Sequence, residues 1–209
     1  MAVYHDARCR MCRRSGMKLF LKGSRCFTDK CAIERRGYAP GEHGKSRRVK
    51  ETNYGIQLRE KQKARQVYGI LERQFRHYFS KASEAKGVTG EVLLQMLERR
   101  LDNVIYRANF ALSRSQGRQL VRHRHVAVNG RTVDIPSFLV KPGDAVEVRE
   151  KSRKLAVILT TLEARKGQSA PEWLDVNPSQ LSAKVVSIPT RDSIPIPINE
   201  QLIVELYSK

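Results

Sequence analysis

No apolar run in the chain approaches the roughly 20 residues that a membrane-spanning helix needs, and no lipid-anchor motif is present. The N-terminus lacks the hydrophobic core of a signal peptide. Its arginines resemble those of a transit peptide, but Asp6 and the cysteines from Cys9 onward do not, so a cytoplasmic protein without membrane contact is expected. Walker loops, dinucleotide fingerprints, HExxH pairs and nucleophile elbows are all missing, which excludes the commonest phosphate-handling and hydrolytic enzymes. No repeat of fixed period occurs. Tryptophan occurs once, at Trp173, and is expected to anchor the C-terminal tail. Acidic residues are scarce: 21 Asp and Glu stand against 40 Lys and Arg, a formal charge of +19.

Self-repulsion of that size is tolerable mainly when a polyanion neutralises it. The excess is confined to the front of the chain. Residues 1–154 carry 35 Lys and Arg against 15 Asp and Glu, whereas residues 155–209 carry 5 against 6. With 209 residues and 40% hydrophobic composition, the chain can bury a real core as one elongated domain or two small ones.

The most informative stretch runs from Arg99 to Glu150. Ser113 stands three residues before Gln116, a capping-box spacing, so a helix should begin there. From that start Arg114, Arg118 and Arg122 recur every four residues, while Leu112, Leu120 and Val121 supply an apolar side; one face is expected to bind and the other to pack. Residues 126–135 alternate around Asn129-Gly130, where Gly130 tolerates the positive φ of a type I′ turn, so a hairpin is expected. Lys141-Pro142-Gly143-Asp144 is a second turn, leading into a strand over 145–148.

All four cysteines, Cys9, Cys12, Cys26 and Cys31, lie within 23 residues. The two-residue gap of the first pair and the four-residue gap of the second suit a tetrahedral four-thiolate structural site. Zinc is expected, with an iron–sulfur cluster as the alternative ligand of the same sulfurs. Two disulfides are the competing arrangement, disfavoured where thiols are kept reduced. The surrounding arginines and lysines would stabilise the negative charge of such a centre.

Residues 37–44 hold three glycines and a proline and are followed by Lys45, Arg47 and Arg48: a basic loop, either a linker or an RNA-binding arm in which Tyr38 and His43 offer stacking surfaces. A basic helix with Arg59, Lys61 and Lys63 is expected over 53–68, stopped by Gly69. Apolar stripes then continue the helical pattern, from Phe75 to Ala85 and, after a Thr89 cap, through to Ile105, so that 53–108 reads as a helical bundle. A further amphipathic helix covers Leu155 to Leu162. Beyond it, 185–188 and 202–206 resemble strands. The fold class is therefore α+β.

Arg100-Leu101-Asp102 resembles the short core around the catalytic aspartate of pseudouridine synthases. Asp102 lies within an apolar helical stripe, however, and only 59 residues follow Glu150, too few for that catalytic domain, so no enzymatic activity is expected.

The cysteine set, the glycine-rich loop, the run Leu58-Arg59-Glu60-Lys61-Gln62-Lys63, the segment Arg99 to Val104, the Val128-Asn129-Gly130 hairpin and the closing Asn199-Glu200-Gln201-Leu202 together resemble one family end to end. It is the bacterial small-subunit ribosomal protein S4 family, in its cysteine-containing, metal-binding variant. The resemblance implies a primary binder of small-subunit ribosomal RNA that nucleates assembly of the subunit body. It also implies ribosomal proteins S5 and S3 as neighbours, messenger RNA as a further contact and an influence on decoding accuracy, with no small-molecule substrate. It implies a metal knuckle and basic arm over 1–50 and a helical domain over 51–98. An RNA-binding module follows over 99–161, and residues 162–209 pack back on the helical domain. The RNA-binding residues so expected are Arg35, Arg36, Tyr38, His43, Lys45, Arg47 and Arg48 in the arm, and Arg59, Lys61 and Lys63 on the basic helix. In the module they are Arg99, Arg100, Arg114, Arg118, Arg122, His123 and Arg131. The family's arm usually reads Tyr-Pro-Pro-Gly-Gln-His-Gly; Ala39 and Glu42 depart from it here.

Overall fold

The computed structural model describes residue 4, residues 6–46 and residues 51–208. These divide into two compact units, one reaching Leu93 and resuming at Ile196, the other spanning Leu94–Pro195. Among the described residues no helix is long and apolar enough to cross a membrane.

The first unit begins with α1 (Arg8–Ser15), which carries Cys9 and Cys12, a 3-10 turn at Gly23–Phe27, which carries Cys26, and α2 (Ala32–Arg35), which Cys31 precedes. The expected basic helix is α3, Asn53–Tyr68. Thr52 caps it by accepting a hydrogen bond from Gly55 N, and Gly69 ends it in the left-handed conformation. α4 (Glu72–Glu84) follows, burying Phe75, Tyr78 and Ala82. α5 (Thr89–Glu98) carries the chain into the second unit.

The expected strand at 202–206 is instead part of a helix, α10 (Glu200–Tyr207). The Leu-Ile-Val run favours a strand locally, but the Asn199 side chain accepts from Gln201 N and Leu202 N and starts a helix. Ile203 and Tyr207, four residues apart, then share one face. Ile203 is fully buried, and the Tyr207 ring stacks on Phe79 with centroids 4.3 Å apart. Polar ties to α3 complete the contact: Gln57 Nε2 donates to Glu205 Oε2 at 2.9 Å, and Lys63 Nζ donates to the Pro197 carbonyl at 3.2 Å.

The second unit holds α6 (Leu101–Arg107), α7 (Arg114–Arg122), β1 (Val126–Val128), β2 (Arg131–Thr132), β3 (Ala145–Val148), α8 (Glu150–Arg153), α9 (Ala156–Ala164), β4 (Leu174–Asn177) and β5 (Ser182–Val185). The hairpin forms as expected, with Asn129 and Gly130 both at positive φ, 50° and 76°. A side chain at Gly130 would meet no clash but would sit in the left-handed region. Gly130→Ala should therefore cost about 1–2 kcal/mol, readable as a lowered urea midpoint at unchanged slope.

The five strands make one antiparallel sheet in the order β2-β1-β3-β5-β4. Residues 162–195 fall in the second unit, where β5 pairs with β3, Val146 opposite Ala183, and so extends that unit's sheet. Only the segment from Ile196 joins the first unit. Trp173, 2% exposed, anchors the β4 side of that core, as expected of it.

The expected 53–108 bundle is also divided. Helical periodicity continues from Val92 to Ile105, but the helix breaks at Arg100, which is extended and pairs with Leu139, and the flanking residues bond to 136–140: Leu101 N donates to Phe138 O at 2.8 Å and Val140 N to Arg99 O at 3.0 Å. α6 therefore belongs with the sheet, where Leu101, Val104 and Ile105 are fully buried among its valines.

Candidate nucleic-acid interface

α7 begins where the capping spacing puts it, with Ser113 Oγ accepting from Gln116 N at 3.3 Å. The reciprocal bond of a capping box is displaced by one residue, since Gln116 Oε1 accepts from Leu112 N at 2.8 Å. The face assignment, in contrast, is corrected. Residues Arg114, Gly117, Arg118 and Val121 follow i, i+3, i+4, i+7 spacing and form the face that packs on α6. A Cβ at Gly117 would lie 2.6 Å from the Asp102 carbonyl oxygen, so only glycine permits the approach. Gly117→Ala should cost about 1–3 kcal/mol of stability, checked by thermal melting.

Three of the expected RNA-binding arginines are consequently internal structural groups. Arg100, with no exposure, grips Asp102 with two bonds, Nε to Oδ1 at 3.1 Å and Nη2 to Oδ2 at 2.6 Å. Arg118, 8% exposed, lies 3.7 Å from the same carboxylate. Arg114 donates to Asn103 Oδ1 at 2.7 Å and stacks on the Tyr106 ring, whose ring also faces the Arg165 guanidinium, each at 4.5 Å. Burial raises the Tyr106 phenol pKa, but the nearby charges of Arg114, Arg165 and Arg107 outweigh it and bring it below its ordinary value. Glu98, fully buried, is held by Arg107 through two bonds of 2.8 Å and by Asn103. Arg99 is half-buried and donates to the Val140 carbonyl. Arg100 and Arg118, both buried against the Asp102 carboxylate, tie α6 and α7 together.

What faces outward is the far end of α7 and the hairpin. Arg122, His123 and Arg131 are exposed, and no hydrogen bond or ion pair to a described residue engages the Arg122 or Arg131 side chain. Arg124 joins them, two-thirds exposed and paired with Asp134 at 3.0 Å. Behind them His125 meets Ser152 Oγ at 2.9 Å; burial, then the charges of His123 and Arg149, hold its imidazole below the ordinary histidine pKa.

In the first unit the expected set splits similarly. Arg59 is exposed and paired with Glu51. Lys61 and Lys63 point inward, to Glu72 at 2.7 Å and to Glu60, with side chains only 12% and 13% exposed. Tyr38 is half-buried and serves as a clasp: Arg13 and Lys45 lie over its ring at 4.9 and 5.0 Å, and Arg13 donates to the carbonyls of Tyr38 and Ala39. Gly44 makes that turn possible, because a Cβ there would fall 1.9 Å from the Ala39 oxygen. Arg35, Arg36, His43 and Lys45 are exposed; Arg47 and Arg48 lie outside the described residues.

The four cysteines are unbridged and line one cavity of about 20 Å³, together with Arg8, Lys22 and Arg25. Cys12, Cys26 and Cys31 are each 8% exposed. Burial pushes the Cys12 thiol up; a bond from the Leu19 backbone partly offsets this, and Cys26, Cys9 and Cys31 add to the rise. Among the described residues no group of three or more His, Cys, Asp or Glu stands assembled to hold a metal ion.

Comparison with known proteins decides the lineage. Residues 3–98 match the ribosomal protein S4/S9 N-terminal domain, and residues 99–146 match the S4 domain. The chain is similar along its whole length, and along theirs, to proteins named small ribosomal subunit protein uS4. It is 60% identical to that of Acidobacterium capsulatum, 59% to that of Solidesulfovibrio magneticus and 58% to that of Thermoanaerobacter sp. strain X514. The chain belongs to the ribosomal protein S4 family. Members of this family are structural, non-enzymatic proteins, and Asp102 fits that here: it is 3% exposed and committed to two arginines.

Sequence reasoning about this family member overlooked one cationic surface. On α4, Arg73, Arg76, His77 and Lys81 are exposed on the side opposite Phe75 and Tyr78. Their spacing of three, four and eight residues was available in the sequence, masked by the stronger apolar stripe on the same helix. In each unit the exposed cations thus stand at helix ends, turns and outer faces, while Arg114 and Arg118 of the regular arginine stripe turn toward α6.

Proposed function

We propose that the chain is a structural component of the small ribosomal subunit in the cytoplasm, where it binds ribosomal RNA early and helps nucleate folding of the subunit body. The observation that carries this is end-to-end similarity, at 54–60% identity, to proteins named small ribosomal subunit protein uS4. The site supports it by chemistry. Exposed arginines and lysines displace counterions from phosphates, while a module braced by buried ion pairs presents them at fixed spacing to folded RNA. On the resemblance to the family, S5 and S3 are its protein neighbours, and it contributes to decoding accuracy where messenger RNA enters the subunit.

The experiment is cosedimentation with small subunits through a high-salt wash. A structural component stays with the particle at one copy each; a free-standing regulatory RNA binder washes off.

The knuckle, in this reading, holds one zinc ion through Cys9, Cys12, Cys26 and Cys31. Support comes from four unbridged thiols around one small cavity, in which burial and the other three sulfurs oppose ionisation of Cys12, a cost that a divalent cation relieves. Elemental analysis should return one zinc per chain. Chelation should unfold residues 6–36 first, because such sites supply on the order of 10 kcal/mol of local folding free energy. Iron in place of zinc would assign the cluster alternative, and neither metal, with structure intact in chelator, would refute the site.

A further inference from the structure

The knuckle exposes two phenylalanines that its fold does not use. Phe27, at the end of the 3-10 turn, is 66% exposed, and Phe20 is 38% exposed. Their rings stack with centroids 5.1 Å apart at 29°, so one supports the other and the outer face of Phe27 stays open. Phe20 adopts a φ of 51°, a left-handed conformation rare for an aromatic residue. That turn sends Leu19, 4% exposed, into the core and Phe20 outward. Lys22 and Arg25, both exposed, stand on the loop between the two rings, and Lys30 follows. Across residues 8–36 ten lysines and arginines face two acidic residues.

We infer that the Phe20–Phe27 pair is a stacking platform for one unpaired nucleobase of the bound RNA, with Lys22 and Arg25 holding the adjoining phosphates. Every base has a flat π-face that an aromatic ring accepts, and flanking cations select a nucleic acid over an apolar protein segment, which would have to meet this charge unneutralised. Phe20 stiffens the platform from behind, so little side-chain freedom is lost when a base lands on Phe27. The inference rests on the ribosomal RNA reading above and adds a base contact to its phosphate contacts.

The test measures binding of the full-length, metal-loaded protein to a transcript of the five-prime domain of small-subunit ribosomal RNA, across a salt series. Phe27→Ala should weaken binding roughly 5- to 150-fold, the range of one lost base–aromatic stack, with the salt slope unchanged because no phosphate contact is removed. Phe27→Leu, which keeps apolar bulk but has no π-face, should lose as much, and Phe27→Trp should retain binding. A thermal melt matching the parent's shows that each variant is folded; if the alanine variant fails it, the Leu and Trp pair decides. Wild-type affinity in Phe27→Leu overturns the platform. Failure of the parent protein itself to bind the transcript would instead refute the RNA reading on which the platform depends.

Discussion

Asp102→Ala is expected to destabilise the second unit by about 3–5 kcal/mol, a large share of what a domain of this size possesses. The carboxylate is the bidentate partner of Arg100, whose side chain has no exposure, and the neighbour of Arg118. Removing it takes the bidentate carboxylate from a cation with no exposure. The effect should appear as a lowered urea midpoint, and RNA binding should fall only as far as the folded population does. Replacing the pair together, Arg100→Met with Asp102→Leu, should recover most of the loss, since a buried ion pair can be exchanged for apolar packing at little net cost. A full-stability Asp102→Ala protein would show that the pair does not brace α6. A fully folded variant that lost a turnover on RNA would revive the pseudouridine-synthase comparison.

The second large effect concerns binding. Arg122→Ala with Arg131→Ala should reduce the salt dependence of RNA affinity by roughly one unit of slope per lost phosphate contact. Stability should change by no more than about 0.5 kcal/mol, because both side chains are exposed and make no tie to a described residue. Arg118→Ala should do the reverse, lowering the melting temperature while leaving the slope of the folded protein intact. If Arg118→Ala flattened the slope and the outer pair did not, the face assignment of α7 would be inverted.

That contrast marks where sequence was informative. α3 was legible because good helix formers run through it and Gly69 stops it, and the hairpin because Asn129-Gly130 fits few other conformations. Four-residue spacing told which arginines share a face of α7 but not which face packs. Gly117 held the missing clue, a residue without a side chain between two arginines on the stripe that meets α6. α10 misled because Leu202, Ile203 and Val204 favour a strand, and their helix is stabilised by α3, far away in sequence. The alliance of β5 with β3 had no local signature. Long-range pairing decided it, and the two share only ordinary alternation of buried and exposed residues.

The exposed cations of this chain should be neutralised by ribose-phosphate strands within the small subunit. The most direct test is a reconstruction of the particle that contains it, at a resolution that shows side chains. Phosphate oxygens should lie within ion-pair distance of Arg122 and Arg131, with Arg100 and Arg118 still closed on Asp102. A particle in which Arg122 and Arg131 face open solvent, with no nucleotide in reach, would contradict it.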